Sequence, residues 1–412
     1  MSRSLNVFLY GKHVGVLTEG EIGRLSFEYN ADTYPLSVRM PVRAEPYDAA
    51  FTEPFFENLT PEGDVLELLA QKYRMSRKNS FSVLSLIGGE CAGAVSLYPG
   101  DPVAQIDEPL RELTPHDIAR IIDALPANPL LTGLDCAPRL SLAGAQSKFA
   151  VRKSADGRYY RSDDMNPTTH IIKIANKRFE GLLENEFFCM LLSRSIFTDA
   201  VEVQMHEAEG RKYLEIERYD RRLVGEKIER IHQEDFCQVL GYLSQKKYQS
   251  DDGPSIRQIY RALKQYSHRK AADSYKFIRL LIFNYLIGNT DAHAKNFSVV
   301  HTNRNNSVIL SPAYDLVSID IYSSKDVSHE IALLVNGKAK YSALRRKDWL
   351  ALFDQLELNS SLMMKEMEKS FARIVEKARQ LADRLNDDPL TASGVYEKIM
   401  NNIRSRSEIL FG

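Results

Sequence analysis

Apolar and polar residues alternate from the start of the chain. LNVFLY, a Gly11–Lys12 pair and HVGVLT form two period-two runs around a glycine turn. That pattern predicts a β-hairpin. RLSFEYN and YPLSVRMP extend it as strands, and Pro41 and Pro46 close the run. In FFENLTPEGDVLELLAQKY, Thr60 can cap a helix with Pro61 at its first position. Leu66, Leu69 and Ala70 would then form its apolar face. SFSVLSLIGGECAGAVSLYP predicts a strand, a Gly-Gly turn and a second strand. HDIARIIDAL reads as a short helix and PANPLLTGLDCAPR as a linker, with a boundary near residue 125.

From residue 139, RLSLAGAQSKFAVRK predicts strand, turn of small residues, strand. TTHIIKIAN alternates as a strand, and LLENEFFCMLLSR has helical spacing. VEVQMHEAEGRKYLEIERYDRR predicts two strands joined at Glu209 and Gly210. Past about residue 235 the spacing becomes helical, in EDFCQVLGYL, PSIRQIYRALKQYS and DSYKFIRLLIFNYLIG. Residues 275–287 are apolar enough for a buried helix, and Gly288 supplies its C-terminal stop. FSVV then reads as a strand. Within residues 360–386, Met363, Met367, Phe371, Ile374, Ala378, Leu381 and Leu385 form one apolar face suited to core packing. Trp349 is expected in the core. The resulting division is a β-rich part at residues 1–125, a mixed part at 126–235 and a helical part at 236–412.

Composition narrows the class. A chain of 412 residues can bury a sizeable core, and 44% apolar with 26% charged residues is ordinary for a globular protein. A net charge of −1 argues against a free-standing nucleic-acid binder. No apolar run approaches a membrane span, and the N-terminus lacks a signal-peptide core. Cys91, Cys136, Cys189 and Cys237 are scattered without a CxxC pair and read as buried thiols of a cytoplasmic protein. The nine histidines show no metal-ligand spacing.

Chemistry concentrates in residues 288–298, GNTDAHAKNFS. Asp291, His293, Lys295 and Asn296 lie close together, and Asp315 follows in LSPAYDLVS. An acid, an amide five residues later and a second acid beyond a short hairpin is how protein kinases place a base and two magnesium ligands. Phosphoryl transfer asks for that set: one carboxylate to take the proton of an attacking hydroxyl, and oxygen ligands to hold Mg2+ on the phosphates. Asp291 suits the first role, Asn296 and Asp315 the second. Single Asp or Asn residues after a helix are commonly turn formers; the set of three carries the reading. Upstream, Ala143, Gly144 and Ala145 would let backbone N–H groups approach phosphates, with Lys148 a nearby cation. A tight hairpin is the plainer account of that segment. Lys173, inside a β-branched strand, matches a phosphate-gripping lysine, or an edge-strand lysine facing solvent. Glu186, with Glu184 near it on the next helix, could orient Lys173. Glu217, Arg218 and Tyr219 stand where a hinge would bind adenine through backbone groups.

Taken in order, RLSLAGAQSK, PTTHIIKI, ERYDRR, HQEDFCQ, LIGNTDAHAKNFSV and LSPAYDL resemble the HipA family of serine/threonine kinase toxins. FFENLTPEG and the opening hairpin resemble that family's N-terminal subdomain. The resemblance covers nearly the whole chain. It implies an α+β, two-lobed protein-kinase-like (PI3/4-kinase-like) fold with a β-rich N-terminal subdomain and an all-helical C-terminal lobe. It implies Asp291 as the base, and Asn296 and Asp315 on Mg2+ with Tyr314 beside them. His293 and Lys295 would neighbour the nucleotide phosphates, and Lys173 would contact them. Ala143, Gly144, Ala145, Gln146, Ser147 and Lys148 would form the phosphate loop, and Glu217, Arg218 and Tyr219 the adenine hinge. Ser141 matches the serine that members autophosphorylate, which ejects the loop and switches the kinase off. ATP and Mg2+ are the implied cofactors. The implied partners are a HipB-like helix-turn-helix antitoxin, DNA only through that antitoxin, and a protein substrate such as an aminoacyl-tRNA synthetase. Two other readings share these residues. One is a kinase-fold binding module acting as a co-repressor; the other is a small-molecule kinase of the aminoglycoside type.

Overall fold

The computed structural model describes the chain apart from residues 1, 101–109, 129–130, 132–145, 162–166, 177, 226 and 303–306. It divides into two compact units. The first holds Met1–Ile174, His206–Ser244 and Val299–Val308; the second holds Ala175–Met205, Gln245–Ser298 and Ile309–Gly412.

The first unit opens with strands β1 (Arg3–Leu9) and β2 (Lys12–Glu19). Tyr10 and Gly11 between them both have positive φ, 54° and 75°. That is the turn whose twist matches the flanking strands. Strand β3 (Leu25–Tyr29) follows, then helices α1 (Ala49–Glu57), α2 (Gly63–Tyr73) and α3 (Ser80–Ile87), then β4 (Val95–Tyr98). The sheet order is β3-β2-β1-β4, and Val7, Leu17, Phe27, Phe56 and Leu84 are wholly buried in its core. Three expectations fail here. SFSVLSLI forms α3 instead of a strand, because the Asn79 side chain accepts from Ser82 N at 2.7 Å and caps it. YPLSVRMP is a loop carrying only a Ser37–Met40 bridge. Thr60 caps no helix; its hydroxyl donates to Glu57 O at 2.7 Å, and α2 starts at Gly63 without a side-chain cap.

The same unit carries a six-stranded sheet. Strand β5 (Glu112–Leu113) precedes helix α4 (Pro115–Ala124), which Thr114 and Asp117 close with a reciprocal capping box. Then come β6 (Lys148–Lys153), β7 (Tyr159–Tyr160) and β8 (His170–Ile174). After helix α5 (Leu182–Arg194) of the second unit, β9 (Val203–Ala208) and β10 (Arg211–Glu217) complete the order β5-β7-β6-β8-β10-β9. Phe149, Val151, Ile172 and Ile174 pack with Ile118 and Ile121 of α4. Successive strand residues face opposite sides, so Lys173, between two core isoleucines, points away from α4.

Strands β11 (Arg221–Val224) and β12 (Lys227–Arg230) form a ribbon, followed by β13 (Gln233–Asp235) and helix α6 (Phe236–Leu240). Around this ribbon lies a buried charge network. Glu90 accepts from Arg221 at 2.7 Å, Arg218 at 3.2 Å and Arg230 at 2.6 Å, while Arg218 also donates to Asp220 at 2.7 Å. Burial alone would raise the Glu90 carboxyl, but Arg221, Arg230 and Arg218 outweigh it and hold it at about 2.

The second unit is mainly helical. After α5 come α7 (Ile256–Tyr266) and α8 (Lys270–Ile287). Strands β14 (Ser298–His301) and β15 (Val308–Leu310) then carry the chain into the first unit and back. Next are a hairpin of β16 (Glu330–Val335) and β17 (Lys338–Lys340), and helices α9 (Arg346–Gln355), α10 (Ser360–Phe371), α11 (Ile374–Asn386) and α12 (Val395–Phe411). Helix α8 is buried on nearly every side of its second half, as its unbroken apolar run requires. The stripe over residues 360–386 is split between α10 and α11, and Met364 takes the core position in place of Met363. Trp349 is 1% exposed, in the core as expected. Among the described residues, no helix is long and apolar enough to cross a membrane.

Replacing Glu90 by Gln removes one carboxylate from three guanidinium groups, leaving Asp220 to serve Arg218 and Arg221, and should cost on the order of 3 kcal/mol in urea unfolding. The Glu90 carboxyl titrates lower when folded, so its contribution is complete above the ordinary value of 4.5 and fades as pH falls toward 2. The acid limb of the stability–pH profile should therefore flatten in Glu90→Gln. Gly288→Ala should also lower the melting temperature. Gly288 has φ +84°, and a Cβ there would stand 2.0 Å from Asp320 Oδ1. The left-handed backbone alone costs roughly 1 kcal/mol for alanine.

Candidate active site

Helix α8 ends on Gly288, whose N–H donates to Asn284 O at 3.0 Å in the left-handed cap read from the sequence. The chain then turns sharply. Gly288 O accepts from Ile319 N at 3.0 Å and Asp320 N at 3.1 Å, which fastens the start of the loop. Asn289 is buried, with Nδ2 donating to Asn284 Oδ1 at 2.8 Å and its carbonyl accepting from Tyr341 Oη at 2.8 Å. Its own Oδ1 accepts from Asp291 N at 3.2 Å.

The Asp291 carbonyl is the next fixed point. It accepts from His293 N at 2.7 Å and from Asn296 Nδ2 at 2.9 Å. The Asn296 amide nitrogen is thereby committed, which leaves its amide oxygen as the atom able to bind a cation. His293 and Lys295 are buried, 6% and 7% exposed. Lys295 O accepts from Tyr314 Oη at 2.8 Å, and the same hydroxyl lies 2.6 Å from Ser298 Oγ. Tyr314 thus ties the segment of Asp315 to the loop of Asn296.

Asp315 has φ 55°, a left-handed conformation that a non-glycine residue adopts at a cost. Asn296, Tyr314 and Asp315 line one cavity with Asn284 and Asn289. Ser311 also lines it, and the rest of the wall is apolar, with Leu280, Phe297 and Leu316 among the residues there. Oxygen donors such as those of Asn296 and Asp315 suit a hard cation such as Mg2+.

In the first unit, Lys148 and Lys173 are direct cross-strand partners in the β6–β8 pair. Partners in register project from the same face of the sheet. Two ammonium groups on one face favour an anion between them. Lys173 is 5% exposed. Ser147 O accepts from Ile174 N at 3.3 Å, and Gln146 Nε2 is buried without a hydrogen-bond partner among the described residues. Ser141, Ala143, Gly144 and Ala145, together with Cys136, lie outside the described residues. Glu186 is buried on α5 of the second unit, and Glu184 sits in that helix's first turn.

At the candidate hinge, Arg218 N donates to Thr169 O at 2.9 Å, and its guanidinium lies in the Glu90–Asp220 network. Its side chain is therefore committed to holding the segment. Glu217 is exposed at the end of β10, and the Tyr219 hydroxyl donates to Gln233 Oε1.

Two arrangements escaped the sequence. His232, Glu234 and His301 meet in the first unit with ligand-type atoms within 4.8 Å of one another. Their atoms serve as a hydrogen-bonded tie: His232 Nε2 donates to Leu36 O at 2.7 Å, and Glu234 Oε1 accepts from His301 Nε2 at 2.9 Å and Val38 N at 3.0 Å. Burial and the neighbouring His301 push His232 down to about 3, so it is neutral. The second is Tyr248, whose hydroxyl donates to Asp291 Oδ1 at 2.6 Å.

Comparison with known proteins accords with this geometry. Residues 140–382 match the family described as HipA-like C-terminal domain, and residues 5–98 match the HipA N-terminal domain. Y4mE of Sinorhizobium fredii, named a kinase, is 39% identical over 359 residues, 84% of each chain. The serine/threonine-protein kinase toxin HipA of Shewanella oneidensis is 28% identical over 388 residues, 88% of this chain and 86% of that one. A solved Shewanella oneidensis toxin–antitoxin complex of HipA, HipB and operator DNA contains a chain of the same fold. The TM-score is 0.85 at 24% identity, covering 98% of this chain and 96% of that one. The α+β, two-lobed protein-kinase-like fold expected from the sequence is thus the fold of this protein. Matched in both its N-terminal and C-terminal parts, the chain belongs to the HipA family of kinase-like proteins.

Proposed function

We propose that this protein is an ATP- and Mg2+-dependent serine/threonine protein kinase, the toxin of a toxin–antitoxin pair. The observation that carries the reading is the loop of residues 288–296. There Asn296 closes on the Asp291 carbonyl and shares one cavity with Asp315. Asp291 is the base. The hydroxyl oxygen of a serine or threonine attacks the γ-phosphorus of ATP, and the bond from that phosphorus to the β–γ bridging oxygen breaks. ADP leaves with that oxygen, and the hydroxyl proton passes to the Asp291 carboxylate. Asn296 Oδ1 and the Asp315 carboxylate are the atoms that would hold the metal. Mg2+, when bound, supplies positive charge against the phosphate oxygens.

Lys148 and Lys173 add cationic charge for the phosphates. His293 and Lys295 keep the loop folded close to the phosphates. Glu217 and Tyr219 offer backbone groups to adenine on a segment that Arg218 anchors. Ser141 is the autophosphorylation site. A phosphate there brings about two negative charges beside a site that would otherwise hold triphosphate, and so disfavours the active loop. By analogy with the relatives, a HipB-like helix-turn-helix antitoxin is the partner, and DNA is reached only through it. The substrate is a protein hydroxyl, with an aminoacyl-tRNA synthetase the first candidate.

Intact-mass analysis after incubation with Mg-ATP tests this reading. The wild type should gain one phosphate, and Asp291→Ala and Ser141→Ala should gain none. Against an added protein acceptor, Asp291→Ala should lose at least a hundredfold in rate. Full transfer by Asp291→Ala would refute the assignment. Lys173→Ala should raise KM for ATP more than it lowers kcat.

A further inference from the structure

Tyr248 lies 43 residues before Asp291 in sequence, and the fold brings its hydroxyl to 2.6 Å from Asp291 Oδ1. Its ring meets His293 edge-on, with centroids 5.3 Å apart and planes at 83°. Two residues of the candidate loop therefore touch one tyrosine. The segment carrying it is fastened on both sides. Lys247 O accepts from Ala294 N at 3.3 Å, and Gln249 Oε1 accepts from Leu334 N at 2.9 Å. Tyr248 O itself accepts from Gly253 N at 3.0 Å. A Cβ on Gly253 would lie 2.4 Å from that same oxygen, so only glycine lets the chain close there.

A phenol donating to a carboxylate oxygen does two things. It fixes the plane of the carboxylate, and it makes the bonded oxygen the poorer proton acceptor. We infer that Tyr248 is a positioning residue for phosphoryl transfer: it binds Asp291 Oδ1 and leaves Oδ2 to take the proton of the acceptor hydroxyl. The inference rests on the reading of Asp291 as the base. Because the Tyr248 segment is clamped to both the loop and β16, the hydroxyl serves as a fixed strut.

The test compares wild type, Tyr248→Phe and Asp291→Ala as full chains, by steady-state phosphate transfer and by calorimetric binding of Mg-ATP. Phenylalanine keeps the ring on His293 and removes only the hydroxyl. The expected result is a fall in kcat of about ten- to a hundredfold in Tyr248→Phe, with KM for ATP and the Mg-ATP affinity unchanged. An unchanged kcat would overturn the inference while leaving the kinase reading standing. Loss of Mg-ATP binding together with rate would also overturn it, since that marks a role in holding the fold. So would a phosphate mapped to Tyr248, which would make it an acceptor. A wild type no faster than Asp291→Ala would remove the kinase reading and this inference together.

Discussion

The Asp291 carbonyl oxygen accepts two hydrogen bonds, one from the backbone of His293 and one from the side chain of Asn296. Around that oxygen the loop of residues 288–296 closes on itself, and the direction of the Asn296 amide is decided. Gly288 makes the closure possible. Its left-handed turn ends α8 and leaves its carbonyl to receive Ile319 and Asp320. Tyr314 adds the second tie, joining Lys295 O to the segment in which Asp315 holds its strained conformation. A cation ligand set gains little from flexible donors. Here both proposed donors are fixed by bonds that involve other atoms of the same residues or their neighbours.

In the first unit a different constraint operates. Glu90 brings three arginines to one buried carboxylate, and Asp220 shares two of them. Such a cluster contributes less to net stability than its short distances suggest, because each charge has lost its water. It does fix geometry. Arg218 and Arg221 both donate to Cys91 O, so the chain following β10 has a single register on the β4 side of the unit. A candidate hinge built from backbone groups depends on such anchoring, since backbone atoms cannot reorient alone.

The sequence displayed the elements whose signal is local. The Gly288 stop, the alternating strand around Lys173 and the turn at Glu209 and Gly210 all rest on a few adjacent residues. It misled where composition and capping disagreed. SFSVLSLI has strand-like content, yet Asn79 at its start and the packing of Phe81 and Leu84 make it helical. Thr60 and Pro61 looked like a helix start because their spacing fits one, whereas the Thr60 hydroxyl closes the preceding helix. Contacts between distant residues left no trace at all. Nothing in KKYQSDD indicates that Tyr248 meets Asp291, and Glu90 gives no sign of arginines 128 and 131 residues away. Likewise, His232, Glu234 and His301 look unrelated along the chain because their meeting depends on β13 and β14 lying side by side.

We propose that the carboxylate and amide of this loop, with Asp315, make a metal-dependent nucleotide site. Calorimetric titration of ATP into wild type and Asp315→Ala, each with Mg2+ and with EDTA, tests it most directly. Binding by the wild type should weaken at least tenfold in EDTA, with no such metal dependence in Asp315→Ala. Equal affinity in all four titrations, or no binding in any, would contradict this assignment.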